Sequence, residues 1–353
     1  MISTVGFDIE KVKESQLAKV DFDNLPFGKL FSDHMFVATF EDGKWSKGKI
    51  QPYQNFTISP ANSTLHYGQT IFEGIKAEYG VDGNIRVFRP DMNAVRMNES
   101  AERMCMPTIP EDLFLNAIKE LIALDKNWVP KTVGGSLYIR PFMFASDAFI
   151  GLRPSENYVF SIFTCPVGPY YGSAVKVKVE ESYTRAASGG TGAAKTAGNY
   201  AASMYPARLA QNAGYDQLLW TDAKEHKYIE ESGTMNVMFR IGDDLYTPAS
   251  SDTILNSVTR QCAVQIARDN GITVHEGPIE VAKVVEAQKN GTLKEAFGTG
   301  TAATIAPIEL INFRGEDLAV SITDNEYSKL ILDTISDIKS GKNTNYPTWT
   351  MLV

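Results

Sequence analysis

The chain has 353 residues, 43% of them hydrophobic and 22% charged, an ordinary globular balance whose length suggests two domains. Its formal net charge of −8 argues against a general nucleic-acid or anionic-membrane partner, and no apolar run approaches the roughly 20 residues that span a bilayer. Cys105, Cys165 and Cys262 are odd in number and far apart, His34, His66, His226 and His275 have no metal-ligand spacing, and the N-terminus lacks a basic region before an apolar core, so neither a disulfide framework, a structural metal nor a secretory signal is expected and a reducing cytoplasm fits.

Residues 35–90 read as strands joined by turns, with Glu41-Asp-Gly43 and Val81-Asp-Gly-Asn84 as hairpin punctuation. One helix is predicted from after Pro90 to about Met104. A second runs from Glu111 to about Trp128 and sets Leu113, Ala117, Leu121 and Leu124 on one face. Tyr138-Ile-Arg-Pro141 and Tyr158-Val-Phe-Ser-Ile-Phe-Thr-Cys165 read as further strands. Pro166-Val-Gly-Pro-Tyr-Tyr-Gly172 is a Pro/Gly-rich break, giving a smaller N-terminal domain over 1–165, a linker over 166–174 and a larger C-terminal domain over 175–353. Beyond the break, Val175-Lys-Val-Lys-Val-Glu180 alternates as a half-buried strand does. A helix over 199–213 follows, then strands over 216–222, 228–231, 236–240 and 244–247. Helices over 257–270, 280–290 and 326–340 each run into a glycine, Gly271, Gly291 and Gly341. Hairpins with helices set between them argue for an α+β fold rather than a doubly wound parallel sheet.

Within the second domain, Gly189-Gly-Thr-Gly-Ala-Ala-Lys195-Thr-Ala-Gly-Asn-Tyr200 surrounds one lysine with small residues. Glycine is costly to order, and small neighbours leave clearance for a flat ligand to reach the amine. Two chemistries compete. A phosphate-loop lysine needs a glycine immediately before it, where this chain has Ala194; nucleotide binding therefore stays as the alternative. A lysine bonded to pyridoxal phosphate needs three companions: a carboxylate for the pyridine nitrogen, a donor for the phenolic oxygen and an anion site for the phosphate. Glu230-Glu-Ser-Gly-Thr-Met-Asn236 supplies carboxylates beside a glycine turn, and Tyr200 is a nearby donor. For the phosphate, Asn256-Ser-Val-Thr-Arg260 opens a helix, Gly298-Thr-Gly-Thr-Ala302 offers a run of amides, and Arg96 or Arg185 adds a fixed charge.

These segments, with His66-Tyr-Gly-Gln-Thr-Ile-Phe-Glu-Gly74, Phe88-Arg-Pro90 and Cys165-Pro-Val-Gly168, make the chain similar to the branched-chain-amino-acid aminotransferases, pyridoxal phosphate enzymes of fold type IV, from about residue 30 to Trp349. The resemblance implies an α+β fold of two domains, a smaller N-terminal α/β domain and a larger C-terminal mixed domain, with the cofactor between them. It implies that Lys195 forms the Schiff base and acts as general base, that Glu231 contacts the pyridine nitrogen, and that Tyr200 bonds the phenolic oxygen. Arg96, Val258, Thr259 and Thr301 would hold the phosphate, and Arg185 and Thr234 would lie near the cofactor. Tyr67, Phe72, Tyr138, Arg140, Tyr170, Thr301 and Ala302 fall on substrate-pocket positions. The implied reaction moves the amino group of L-leucine, L-isoleucine or L-valine to 2-oxoglutarate. D-amino-acid transaminase and aminodeoxychorismate lyase are the rivals within the fold. The resemblance also implies a homodimer, for which residues 147–153, with Ile150 and Leu152, form the expected reaching loop. The Cys-x-x-Cys pair of animal members is replaced by Ala303 and Ala306, so a thiol switch is not expected there.

Overall fold

The computed structural model describes residues 6–168, 174–323 and 325–353. Two compact units emerge. The first takes the described residues of Met1–Tyr170 together with Ala194–Ala197 and Asp337–Val353, and the second takes those of Tyr171–Ala193 with Gly198–Ser336. In chain order the strands are β1 (Asp8–Ile9), β2 (His34–Glu41), β3 (Lys44–Trp45), β4 (Lys49–Pro52), β5 (Thr70–Phe72), β6 (Ile75–Tyr79), β7 (Ile85–Phe88), β8 (Ser136–Ala145), β9 (Tyr158–Val167), β10 (Val175–Val179), β11 (Gln217–Thr221), β12 (Tyr228–Ser232), β13 (Asn236–Ile241), β14 (Asp244–Thr247), β15 (Val274–Glu276), β16 (Ile279–Glu280), β17 (Leu293–Gly300), β18 (Thr304–Phe313), β19 (Glu316–Ala319) and β20 (Thr350–Leu352). The helices are α1 (Ser63–Tyr67), α2 (Pro90–Arg103), α3 (Glu111–Leu124), α4 (Ala197–Asn212), α5 (Val258–Asp269), α6 (Val281–Lys289) and α7 (Glu326–Lys339).

The first unit is built on one sheet in the order β1-β4-β2-β9-β8-β6-β7-β20, with β3 on β2 and β5 on β8. Its centre is the antiparallel pair β8–β9, in register from Ser136↔Val167 to Ala145↔Tyr158. Inward residues of these strands, Ile139, Met143, Phe160 and Ile162, are fully buried with Phe36 and Ile50. Helices α2 and α3 pack on each other and on the sheet, contributing Met97, Ala101, Phe114, Ile118 and Leu121 to the same core. Pro90 suits the first position of α2, where a missing N–H costs nothing.

Three expectations need correction here. The segment 35–90 also contains α1, which is started by the Asn62 side chain accepting from the Thr64 N–H and stopped by Gly68 in the left-handed region. Helix α3 ends at Leu124 rather than near Trp128, and Lys126–Trp128 forms a separate 3-10 turn. The reason is Asp125, whose carboxylate accepts from the His34 backbone N–H at 3.0 Å and bonds His34 Nδ1 at 2.6 Å, drawing the chain out of the helix. The buried stripe of α3 is Phe114, Ala117, Ile118, Leu121 and Ile122, while Leu113 and Leu124 stand half-buried at its edges. Lastly, β9 runs on through Pro166 and Val167, both expected in the linker; residues 169–173, including Tyr170, lie outside the described residues.

The second unit carries a sheet in the order β15-β14-β13-β17-β18-β10-β11-β12-β16, with β19 on β18. Hairpins dominate it, as expected, yet β10 lies parallel to both β11 and β18. Val177, Leu219, Phe239 and Ile308 form its core. Gly298–Gly300, read from sequence as a run of available amides, is strand, paired with β13 through Asn236↔Thr299 and with β18 through Gly298↔Ala306. Only Thr301 and Ala302 fall in the turn that follows.

Candidate active site

In the first unit, Lys195 sits at the end of the small-residue loop with its backbone clamped on both sides. Its N–H donates to Ser100 Oγ on α2 at 2.9 Å, and its carbonyl accepts from the Phe72 N–H at 3.0 Å. The next residue continues the clamp: Thr196 bridges Ile71, and its hydroxyl donates to the Thr70 carbonyl at 2.7 Å. The backbone is thus laid along β5 like an extra strand. The amine itself reaches over the Phe72 ring, with Nζ 5.1 Å from the ring centroid.

Phe72 also meets Arg140, whose guanidinium carbon lies 4.8 Å from the same centroid. Arg140 Nη2 donates to the Tyr138 hydroxyl at 2.9 Å, and Arg140 Nε is buried with no hydrogen-bond partner among the described residues. Tyr138 is placed by a glycine: a Cβ at Gly74 would stand 2.2 Å from its hydroxyl. The substrate-pocket positions Phe72, Tyr138 and Arg140 are therefore gathered in one group, to which the cation–ring contact joins Lys195. Tyr67 is exposed at the end of α1, and Phe149, Ile150 and Leu152 are exposed on the loop between β8 and β9.

Sequence reasoning passed over the acid at the centre of this unit. Glu73 is fully buried. Arg96 grips it with a fork, Nε to Oε1 and Nη2 to Oε2, each 2.7 Å, and Asn93 Nδ2 adds a third bond at 2.7 Å. Burial alone would raise this carboxyl; the Arg96 charge and hydrogen bonds, helped by Lys195 and Asn93, overcome it and hold Glu73 below the ordinary carboxylate value. Arg96, expected to hold phosphate, is thus pinned one turn of α2 before Ser100, which in turn holds Lys195. The available signal was an ionisable residue set between Phe72 and Gly74 inside the quoted motif.

In the second unit the focus is Arg185. Its Nη2 pairs with Glu231 Oε1 at 2.9 Å, and its Nη1 donates to the Thr253 carbonyl at 3.1 Å and to the Gly192 carbonyl at 3.3 Å. Glu231 Oε1 also accepts from the Leu255 N–H at 2.7 Å. Gly192 is required there, because a Cβ would come within 2.6 Å of Ala186 Cβ and 2.7 Å of Thr253 Cα. Asn199 closes the loop before Lys195 by bonding the Thr191 hydroxyl and carbonyl, each at 2.8 Å. Tyr200 is half-buried in the first turn of α4. Val258 and Thr259 are buried at the start of α5, where the Ser257 side chain caps by accepting from the Arg260 N–H. An α-helix leaves its first N–H groups without partners inside the helix, and its dipole favours an anion there. Thr234 stands exposed in the turn between β12 and β13, while Glu231 is buried. Thr301 and Ala302 are half-buried. Ser232 Oγ and Thr299 Oγ1 are buried hydroxyls with no hydrogen-bond partner among the described residues.

Among the described residues no cluster of His, Cys, Asp and Glu could hold a metal ion, and no helix is long and apolar enough to cross a membrane.

The family model of the class IV amino-transferases matches residues 70–311. A branched-chain-amino-acid transaminase 1 of Bacillus subtilis is 46% identical over 95% of this chain and 96% of its own length. A branched-chain-amino-acid aminotransferase of Mycolicibacterium smegmatis is 38% identical over 96% of this chain and 94% of its own. Among solved structures, the branched-chain aminotransferase of Thermoproteus uzoniensis with norvaline superposes with a TM-score of 0.76 at 26% identity, over 90% of this chain and 99% of that one. The T.th. branched-chain amino acid aminotransferase with pyridoxamine 5'-phosphate gives a TM-score of 0.71 at 25% identity, over 89% and 97%. The α+β fold accords with these likenesses, and the chain belongs to the class IV aminotransferases, in the branched-chain-amino-acid aminotransferase family of fold type IV.

Proposed function

We propose that this protein is a cytoplasmic homodimeric transaminase that carries the amino group of L-leucine, L-isoleucine or L-valine to 2-oxoglutarate with pyridoxal phosphate. The observation that carries the reading is the clamp on Lys195: a backbone tied at its N–H, its carbonyl and the Thr196 side chain ends in an amine over Phe72. A rigid backbone with a swinging amine is what a lysine needs that must bind, release and move a proton. The names of its relatives point the same way.

The residues present fit the cofactor. In the first unit Arg96 carries a fixed charge suited to a phosphate, and in the second the start of α5, the buried Thr299 hydroxyl and the Thr301 turn offer groups suited to one. Glu231, paired with Arg185 and bonded by the Leu255 N–H, would keep a proton on the pyridine nitrogen, and Tyr200 would donate to the phenolic oxygen. Bound there, pyridoxal phosphate supplies an aldehyde carbon for the amine and an electron sink for the substrate α-carbon. Lys195 Nζ would take the α-proton of the amino acid as general base and hold it for return. Phe72 and Tyr138 offer apolar surface to a branched side chain. Arg140, with its unpartnered buried Nε, accommodates the second carboxylate of glutamate.

Mixing the purified protein with pyridoxal phosphate, leucine and 2-oxoglutarate should yield glutamate and a yellow holoenzyme. Absence of both product and visible band would overturn the reading, and turnover of D-alanine in place of leucine would redirect it to the D-amino-acid transaminases.

A further inference from the structure

Glu230 and Glu231 are neighbours and both buried, 6% and 3% exposed, but they are provided for differently. Glu231 has a guanidinium and a backbone amide. Glu230 Oε1 accepts from the Thr253 hydroxyl at 2.6 Å, and its Oε2 is buried with no hydrogen-bond partner among the described residues. Burial raises the Glu230 carboxyl above its ordinary value; Thr253 and Arg185 pull it down, while Glu231 and Asp222 push it further up. A buried acid with half its oxygens unserved is costly, so its place in the fold asks for a function.

We propose that Glu230 is a positioning residue for the cofactor-side carboxylate of Glu231: its oxygen anchors Thr253 and so fixes the irregular segment that supplies the groups around Glu231. The segment's bonds show what depends on that anchor. The Asp252 carbonyl accepts from the Ala193 N–H at 3.0 Å, and the Asp252 carboxylate accepts from the Gly189 N–H at 2.8 Å and Ser188 Oγ at 2.7 Å. The Thr253 carbonyl fixes Arg185. Leu255 gives its N–H to Glu231, and its carbonyl is held by Asn236 Nδ2 at 3.1 Å. Two residues further on, Ser257 caps α5. The loop leading to Lys195, the partner of Glu231 and the start of α5 therefore hang on one stretch that has no helix or strand of its own. Glu230 is the buried side chain that bonds the Thr253 side chain in the middle of it. The role belongs to an acceptor oxygen and needs no charge, so a carboxamide fills it.

The inference rests on the pyridoxal phosphate reading, and the test separates the two. Cofactor-free wild type, Glu230→Gln, Glu230→Leu, Thr253→Val and the Leu/Val double variant are titrated with pyridoxal phosphate, and the pH midpoint of the bound cofactor's visible band is recorded. Glu230→Gln is expected to bind within about twofold of wild type. Glu230→Leu and Thr253→Val should each weaken binding roughly tenfold, the scale of one buried hydrogen bond, and displace the pH midpoint. The double variant should be no worse than either single one, because the two changes remove the same bond. Thr253→Val keeps the side-chain shape, so it remains informative if Glu230→Leu fails to fold. Wild-type binding by Thr253→Val, or equal weakening by Glu230→Gln and Glu230→Leu, overturns the proposal. A wild-type protein that neither binds the cofactor nor transaminates overturns the functional reading instead.

Discussion

Two buried acid–arginine clusters, one in each unit, resolve the same electrostatic problem in opposite directions. Around Glu73, one carboxylate is met by a forked guanidinium and a carboxamide, with the Lys195 charge near enough to be felt, and the acid is held below its ordinary pKa. Around Arg185, one guanidinium serves two adjacent carboxylates, and Glu230 is driven above its ordinary value. Burial penalises both acids, and Glu73, the more deeply buried, is the one held low, so burial does not decide the outcome; the ratio of donors to carboxylates does. The surplus of cations around Glu73 suits a unit whose Arg96 is expected to meet a phosphate. The surplus of acid around Arg185 suits a unit whose Glu231 is expected to hold a proton on a pyridine ring.

The largest expected effect comes from removing Lys195, whose charge is felt by Glu73 in the first unit. Lys195→Ala should lower transamination at least about 10³-fold, the scale of a lost proton-transfer group, and should abolish the visible band of the bound cofactor. Full turnover by the purified variant would sink the assignment. Removing the arginines sharpens the contrast on the scale of stability. Arg96→Ala leaves Glu73 buried without its cation and should cost about 3–5 kcal/mol. Arg185→Ala should cost less, about 1–3 kcal/mol, since the Leu255 N–H still serves Glu231 and the Thr253 hydroxyl still serves Glu230. Urea unfolding of the cofactor-free proteins reads both, and the reverse order would contradict the donor-to-acid argument.

Much of the first-order plan was legible. Lys195, Glu231 and the start of α5 lie in local patterns of glycines, acids and caps, which is why the sequence points to them. The helices marked by punctuation at an end, α2 after Pro90 and α5, α6 and α7 before Gly271, Gly291 and Gly341, lie where that punctuation placed them, within a few residues at either end. What escaped was non-local. The Glu73–Arg96 and Glu230–Thr253 bonds each join residues 23 apart, a separation with no helical or strand period to expose it. Helix α1 has five residues, too few for any periodicity, and is made by its Asn62 cap and Gly68 stop. Gly298-Thr-Gly has the composition of a turn, yet it lies between β13 and β18, whose pairing overrides its weak intrinsic preference for strand. Asp125 was read as part of a helix because its partner, His34, lies 91 residues away.

The smallest effect gives the most direct test of the contrast, because it compares the same residue type in both clusters. Glu73 faces Arg96, Asn93 and Lys195, and its folded-state pKa lies below the ordinary 4.5. Its ionised form therefore contributes stability that is present above pH 4.5 and is lost as pH falls through the folded value. Glu230 faces Thr253, Arg185, Glu231 and Asp222, and its pKa is raised above the same 4.5. The folded state then binds more protons than the unfolded chain, so stability declines as pH rises from 4.5 through the folded value. Glu73→Gln and Glu230→Gln each remove one titration. The stability of wild type relative to Glu73→Gln should rise with pH across the acid range, while relative to Glu230→Gln it should fall as pH climbs above 4.5. Urea midpoints of the cofactor-free proteins at fixed ionic strength, stepped from acid to neutral pH, give both difference curves. Two curves of the same slope would show that the clusters titrate alike, and the donor-to-acid ratio would then lose its standing as the cause.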